Sequence, residues 1–321
     1  MLLKSILYYV AAFLVTTICL GLCLDVFTAH TAVGLRSHDP RYEGIAYEIY
    51  DKKNQENGPS VYFLGSSKTM CDIIPEKVES KLKSTRVMNL GVNWPGENLY
   101  KPLCRRICEE KNVKALVIEV PYLNRYAGHK NFRLFCSFQE SLEEPFLGSA
   151  EYVSNVIFTP YRQLYQFLLE MVKPLKPSLV NKGYHHVVQT DQEKENIRKS
   201  FQKEIDNGVY FTSSDIEVKS KLGKLRKEIL GKPSRSNYAF LANYCKEQGV
   251  ECIFLALPKF SIYEMTKEDR DFYQSMGTLL VPPPAMLHKS ELWRDTGHLN
   301  DLGAKILSEW VGDELKKTGK Y

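Results

Sequence analysis

The longest apolar run in the chain lies at its amino end, where Ser5 to Leu24 carries no charge and consists mainly of Leu, Ile, Val, Phe, Tyr and Ala. As a helix, such a run rises roughly 30 Å, the thickness of a bilayer's hydrocarbon core. Beyond it the pattern changes to short apolar runs separated by amphipathic stretches. Val61 to Leu64 predicts a buried strand that ends at Gly65-Ser66-Ser67, and Pro75 to Leu82 predicts a helix with proline in its first turn. Arg86 to Leu90 and Lys114 to Val120 read as strands, with a helix from Glu97 to Lys111 between them. The rhythm resumes with a helix from Ser236 to Gln248, the apolar strand Cys252 to Pro258, a short strand from Thr278 to Val281, and an amphipathic helix from Asn300 to Lys317.

Strands spaced by helices predict a parallel sheet covered on both faces. Each crossover needs a helix, and a strand buried on both sides reads as a continuous apolar run. The interval from about 126 to 233 breaks the rhythm, being rich in aromatic and charged residues, and reads as a mostly helical insertion. It suits a lid or packing subdomain, or else a docking surface for a membrane partner. The expected organisation is therefore a cytoplasmic amino terminus and anchor at 1–27, a polar stalk at 28–59, and an α/β domain at 60–321 carrying the insertion.

Charge orients the anchor. Lys4 and the terminal amine precede the apolar run and Asp25 follows it, so the positive-inside rule places the amino terminus in the cytoplasm and the remaining chain outside. A cleaved signal peptide is the competing reading. Its apolar core is normally shorter, and no small-x-small site stands out between Leu22 and Val33. Elsewhere 43 basic and 38 acidic residues are interspersed, giving a net charge of +5 without a basic stripe, so no nucleic-acid partner is expected. Of the eight cysteines, two lie in the apolar run and the rest form no regular framework. Cys104 and Cys108 stand one helical turn apart, a spacing that suits either two metal ligands or two packed thiols on an amphipathic helix. Packed thiols are the expectation, with no metal and no cofactor.

Two segments carry candidate chemistry. In Asp295-Thr296-Gly297-His298, directly before the last helix, a carboxylate stands three residues ahead of an imidazole. That spacing lets the aspartate hold one ring nitrogen and leave the other to take a proton from a nucleophile. The same residues also suit a helix-start turn with no catalytic role. The second segment, Gly65-Ser66-Ser67, follows the first strand at the carboxyl edge, where parallel sheets place ligands. There a serine is either a nucleophile beside backbone amides or a helix cap.

Together these segments resemble the first and last sequence blocks of the SGNH (GDSL-like) hydrolases. Gly65-Ser66-Ser67 stands for the first block, with Ser66 where the family usually has aspartate, and Asp295-Thr296-Gly297-His298 stands for the last. The continuation His298-Leu299-Asn300 with Gly303-Ala304 resembles the branch containing envelope acyl-transfer proteins, such as those of alginate acetylation and teichoic-acid D-alanylation. The resemblance implies a flavodoxin-like three-layer sandwich and a Ser67, Asp295 and His298 triad. It also implies an oxyanion hole formed by the Ser67 amide, Gly96 (or Gly91) and Asn124. The second block, from Asn89 to Gly96, is two residues longer than usual, and the third, around Asn124, lacks the family's G-x-N-D pattern. The implied function is a serine esterase or O-acyltransferase acting on acyl esters, chiefly acetyl, of a cell-envelope or exported glycan. It would sit in a bacterial inner membrane by a single helix, with its catalytic domain periplasmic or extracellular. The alternative is a non-catalytic protein of the same fold that assembles with a multi-spanning membrane acyltransferase.

Overall fold

The structure, a computed structural model, describes residues 2–30 (side chains from 5 to 23), 58–92, 96–121, 235–260 and 265–318, with 132, 136–137, 139–140, 161 and 164. Almost all of the insertion and of the stalk expected from the sequence lies outside the described residues. By its contacts the chain forms two units, Met1–Asp51 with Gly128–Tyr184 and Lys52–Ala127 with His185–Tyr321. Elements are numbered below in chain order over the described residues.

In the first unit, helix α1 (Leu2–His30) contains the expected apolar run and continues past it. From Ser5 to Cys23 the mean hydropathy is 2.2, and Leu7, Tyr8, Tyr9 and Val15 are all exposed. That length and composition suit a membrane anchor or a signal sequence. One contact within this unit reaches the middle of the run. The Tyr161 ring stacks on Phe13 at 5.9 Å, and its hydroxyl lies 2.8 Å from Thr17 Oγ1, which itself donates to the Phe13 carbonyl.

The second unit is built on strands β1 (Ser60–Gly65), β2 (Arg86–Gly91), β3 (Val113–Val120), β4 (Glu251–Ala256) and β5 (Thr278–Leu280). All neighbours are parallel, in the order β2-β1-β3-β4-β5. Every residue of β1 is buried, and so are seven of the eight in β3, which is why both read as unbroken apolar runs. The helices are α2 (Ser67–Asp72), α3 (Pro75–Glu79), α4 (Tyr100–Cys108), α5 across 235–247, α6 (Lys267–Gln274), α7 (Pro284–Leu287) and α8 (Asp301–Lys317).

Alternation along the strands splits the core in two. Val61, Phe63, Val117, Ile253 and Leu255 point to one face, where they cluster with Val78 of α3 and with Ala304, Leu307, Val311 and Leu315 of α8. The α8 residues recur every three or four positions, the stripe of a helix laid on a sheet. On the other face the Phe254 ring meets Tyr238 of α5 at 6.2 Å and Tyr273 of α6 at 5.2 Å, and Tyr238 Oη donates to the Glu119 carbonyl. The α/β fold with a parallel sheet is thus the one that the hydrophobic pattern predicts.

Three local differences have physical causes. Helix α2, directly after Ser66, is not evident in the sequence. Its first turn is capped by Ser66 and its last carbonyls by a distant side chain, since Asn89 Nδ2 donates to both Thr69 O and Ile73 O at 2.8 Å. The helix expected from Glu97 begins as a single 3₁₀ turn, Glu97–Leu99, before α4. Helix α6 is too polar and short for its periodicity to stand out. Its signal was the capping pair Thr266 and Asp269, in which Thr266 Oγ1 accepts from the Asp269 amide.

Strand order matters for function because it reverses beside β1. The chain steps outward from β1 to β2 and then crosses back past β1 to β3, so the connections after β1 and β3 diverge at their carboxyl ends, the edge at which parallel sheets generally bind ligands. Ser67 begins the helix that follows β1 at this edge.

Candidate active site

The turn from β1 into α2 is shaped by a buried carboxylate. Glu119, 8% exposed near the end of β3, accepts from the Ser66 amide at 2.7 Å, Ser66 Oγ at 2.8 and 2.9 Å, Thr69 Oγ1 at 2.7 Å and the Thr69 amide at 3.4 Å. Only donors surround it, as a carboxylate requires. Ser66 Oγ in turn accepts from the Lys68 amide at 3.3 Å and so caps α2. Gly65 is where this packing demands glycine, because a β-carbon there would lie 1.9 Å from Thr69 Oγ1 and 2.6 Å from Glu119 Oε2. Lys68 reaches the other way, donating from Nζ to the carbonyls of Leu257 at 2.8 Å and Pro258 at 3.2 Å just beyond β4. Burial lowers its pKa against the opposing attraction of Glu119.

The second half of the site is a tight loop from 294 to 298. An antiparallel bridge between Trp293 and Leu299 closes it, the Arg294 amide donates to the His298 carbonyl at 2.9 Å, and the Phe260 amide donates to Thr296 O at 3.0 Å. Within the loop Asp295 Oδ1 accepts from the amides of Gly297 at 2.8 Å and His298 at 2.9 Å. The residues after His298 seat the loop on α8. Asn300 caps the helix by accepting from the amides of Leu302 and Gly303, and a β-carbon at Gly303 would meet the Leu292 carbonyl at 2.2 Å. The pattern His298-Leu299-Asn300 with Gly303-Ala304 is therefore the local chemistry of a loop docked against a helix start.

The two halves meet through one imidazole. His298 Nδ1 lies 2.8 and 3.0 Å from the two Asp295 oxygens, and Nε2 lies 2.9 Å from Ser67 Oγ. A carboxylate only accepts, so Nδ1 carries the proton and Nε2 is left to accept from the serine hydroxyl. Burial alone would raise the Asp295 pKa. The hydrogen bonds from His298 and the Gly297 amide, with the charges of His298 and Arg294, outweigh it and bring the group down to about 2. Its contribution to stability is present above the ordinary carboxylate pKa and is lost as pH falls toward 2.

A second bond ties the same two pieces together. Asp72, at the far end of α2 from Ser67, accepts from the Leu299 amide at 2.9 Å. Burial pushes this carboxyl up to about 7, against the Leu299 hydrogen bond and the charges of His298 and Lys68. For a carboxyl whose folded pKa is raised, the contribution to stability is full below the unfolded value near 4 and is lost as pH rises through about 7. Asp72→Asn keeps the acceptor for Leu299 and removes the titration. The variant is therefore expected to gain stability over wild type between about pH 4 and 7, by up to a few kcal/mol, and to hold that gain above pH 7. Urea unfolding at pH 4.5 and 7.5 measures it; equal differences at the two pH values would refute the assignment.

Of the candidate oxyanion residues, the Ser67 amide lies at the start of α2. Gly96 is buried at the entrance to the 3₁₀ turn, where its carbonyl accepts from the Leu99 amide. The Gly91 amide donates to Asn89 Oδ1 at 2.9 Å, so that donor is committed at the end of β2. Asn124 lies outside the described residues. Sequence reading missed Glu119, Asp72 and Asn89. The available signal for Glu119 was a lone acid inside the apolar strand Lys-Ala-Leu-Val-Ile-Glu-Val. The chain matches no protein-family model and none of the curated proteins with which it was compared.

Proposed function

We propose that this chain is a membrane-anchored serine hydrolase or O-acyltransferase of the SGNH type. The observation that carries the reading is the continuous hydrogen-bonded line from Asp295 through His298 to Ser67 Oγ at the carboxyl edge of a parallel sheet. Strand order β2-β1-β3-β4-β5 is that of flavodoxin-like folds, which supports the three-layer assignment. The departure at Ser66 has a local reason. Its hydroxyl donates to Glu119, whereas the family's usual aspartate would set a second carboxylate against that one.

In this mechanism His298 Nε2 takes the Ser67 proton as Oγ attacks an ester carbonyl. The tetrahedral oxyanion is held by the Ser67 amide and by Gly96, and Asn124 is the third candidate donor. As the intermediate collapses, the carbonyl–alkoxy bond breaks and His298 passes its proton to the departing alcohol. Water or a sugar hydroxyl then attacks the acyl-serine, giving its proton to His298, and collapse returns that proton to Ser67. Both nucleophile and base are side chains. Asp295 stays ionised throughout and holds the ring in the tautomer that leaves Nε2 free. The apolar run within α1, with Lys4 before it and Asp25 after it, supports anchoring with the domain outside a bacterial inner membrane. That placement favours acyl esters, chiefly acetyl, of an envelope or exported glycan as substrates.

The detergent-solubilised chain is expected to react covalently with a fluorophosphonate at Ser67, read by intact mass and peptide mapping. His298→Ala should suppress the labelling. A wild-type protein that stays unlabelled under prolonged exposure would turn the reading toward a non-catalytic assembly role.

A further inference from the structure

Away from Ser67, three thiols converge in the core. Cys104 and Cys108 stand one turn apart on α4, and Cys245, 137 positions beyond Cys108, comes from α5. Their sulfurs are 3.8 Å (Cys104–Cys108), 3.7 Å (Cys104–Cys245) and 3.8 Å (Cys108–Cys245) apart, and all three residues are buried. A further cysteine, Cys252 on β4, is also buried, at 8% exposed.

These distances have a chemical meaning. Zinc binds thiolates at about 2.3 Å, and a regular tetrahedron with that radius has edges 1.63 times as long, so its sulfurs stand about 3.8 Å apart. A near-equilateral triangle with this edge is one face of such a site. A disulfide engages two sulfurs at about 2.05 Å and would leave the third as an odd thiol. The triangle favours a shared ligand over a pairwise bond.

The surroundings suit a compact anionic centre. Three thiolates around a divalent ion carry a net charge of only −1. Lys246, next to Cys245 in sequence, lines an open groove of about 500 Å³ together with Lys114 and Cys252. The position within the fold separates this cluster from the triad. Cys108 ends α4 shortly before β3 begins and Cys245 lies near the end of α5 shortly before β4, toward the amino edge of the sheet, whereas Ser67 follows the carboxyl end of β1.

We propose that Cys104, Cys108 and Cys245 supply three thiolates to a site for one structural zinc ion, which ties α4 and α5 together. The site is independent of the esterase reading. The three ligands are buried in the core away from Ser67, so the metal acts on stability.

Full-length chain purified in detergent without chelators tests this by elemental analysis, together with a thiol count in denaturant. The expected result is about one zinc per chain with every cysteine titrating as a free thiol once the metal is chelated. Cys245→Ser should lose the zinc and Cys19→Ser, in α1, should keep it. Because Cys245→Ser can fail to fold, chelated wild-type protein is also titrated with Co²⁺. Saturation at one equivalent, with the intense visible absorption of tetrahedral thiolate coordination and displacement by Zn²⁺, supports the site. The proposal is overturned if reduced wild-type protein takes up neither ion, if two of the three thiols prove to be a disulfide in the purified chain, or if a folded Cys245→Ser retains its zinc.

Discussion

Ser67→Ala should lower kcat/KM for an activated acetyl ester by at least about 10⁴-fold, while leaving the unfolding midpoint within a degree or two of wild type. The size follows from the chemistry: without Oγ no acyl-enzyme forms, and what remains is binding and oxyanion stabilisation alone. The small effect on folding follows from the environment, because Ser67 is only half-buried and its hydroxyl makes one described bond, to His298, worth about 1 kcal/mol. A second comparison guards against a contaminating esterase. Residues that act as one unit are non-additive, so Ser67→Ala combined with His298→Ala should be no slower than either single variant. Unchanged turnover in Ser67→Ala, or single-variant losses that multiply in the double variant, would remove Ser67 from the mechanism.

Glu119→Ala should be the most damaging single change to the fold among the residues around Ser67, with a loss of about 3–5 kcal/mol. The carboxylate is buried and accepts from two amides and two hydroxyls, and no water would replace it without opening the β1–α2 turn. For a unit of this size that loss corresponds to a fall in Tm of roughly 10 °C. Glu119→Gln is isosteric but turns an NH₂ toward donors, so it should fall between the two, while Ser66→Ala should lose only the cap and one bond, about 1 kcal/mol. Thermal unfolding of the solubilised variants measures all three. A Glu119→Ala protein that melts with the wild type would mean the carboxylate is not what holds the turn.

What was legible in the sequence was what lies close together along the chain. Asp295 and His298 are three apart, so their bond is a property of one loop. Gly65-Ser66-Ser67 follows a strand whose apolar run is unmistakable, and the parallel sheet is written in such runs. Contacts made across the sheet were not legible. Glu119 joins Ser66 from 53 positions away, and Asp72 meets Leu299 from 227 away. Nothing in Val-Ile-Glu-Val says which loop its acid will meet until the strand order puts β3 beside β1. Likewise Cys104 and Cys108 show only two members of a cluster whose third, Cys245, comes from another helix. The short helices α2 and α6 escaped for a different reason: each is held by caps, one of them a distant asparagine, with too few residues for a hydrophobic period to emerge.

Ser67 and His298 are separated by 231 residues, and Asp72 and Leu299 repeat that long span at the opposite end of the same short helix. Ser67 therefore has no base until the closing segment of the polypeptide has been made and α8 has docked. Contacts of such high sequence separation form late, after the loop-closure entropy between them has been overcome. A ribosome-bound or truncated chain that stops before Asp295 would fold much of its sheet yet hold an unactivated alcohol. Under the function proposed above, chain length would then act as a timer, keeping the Ser67 hydroxyl silent until residues 295–317 are in place.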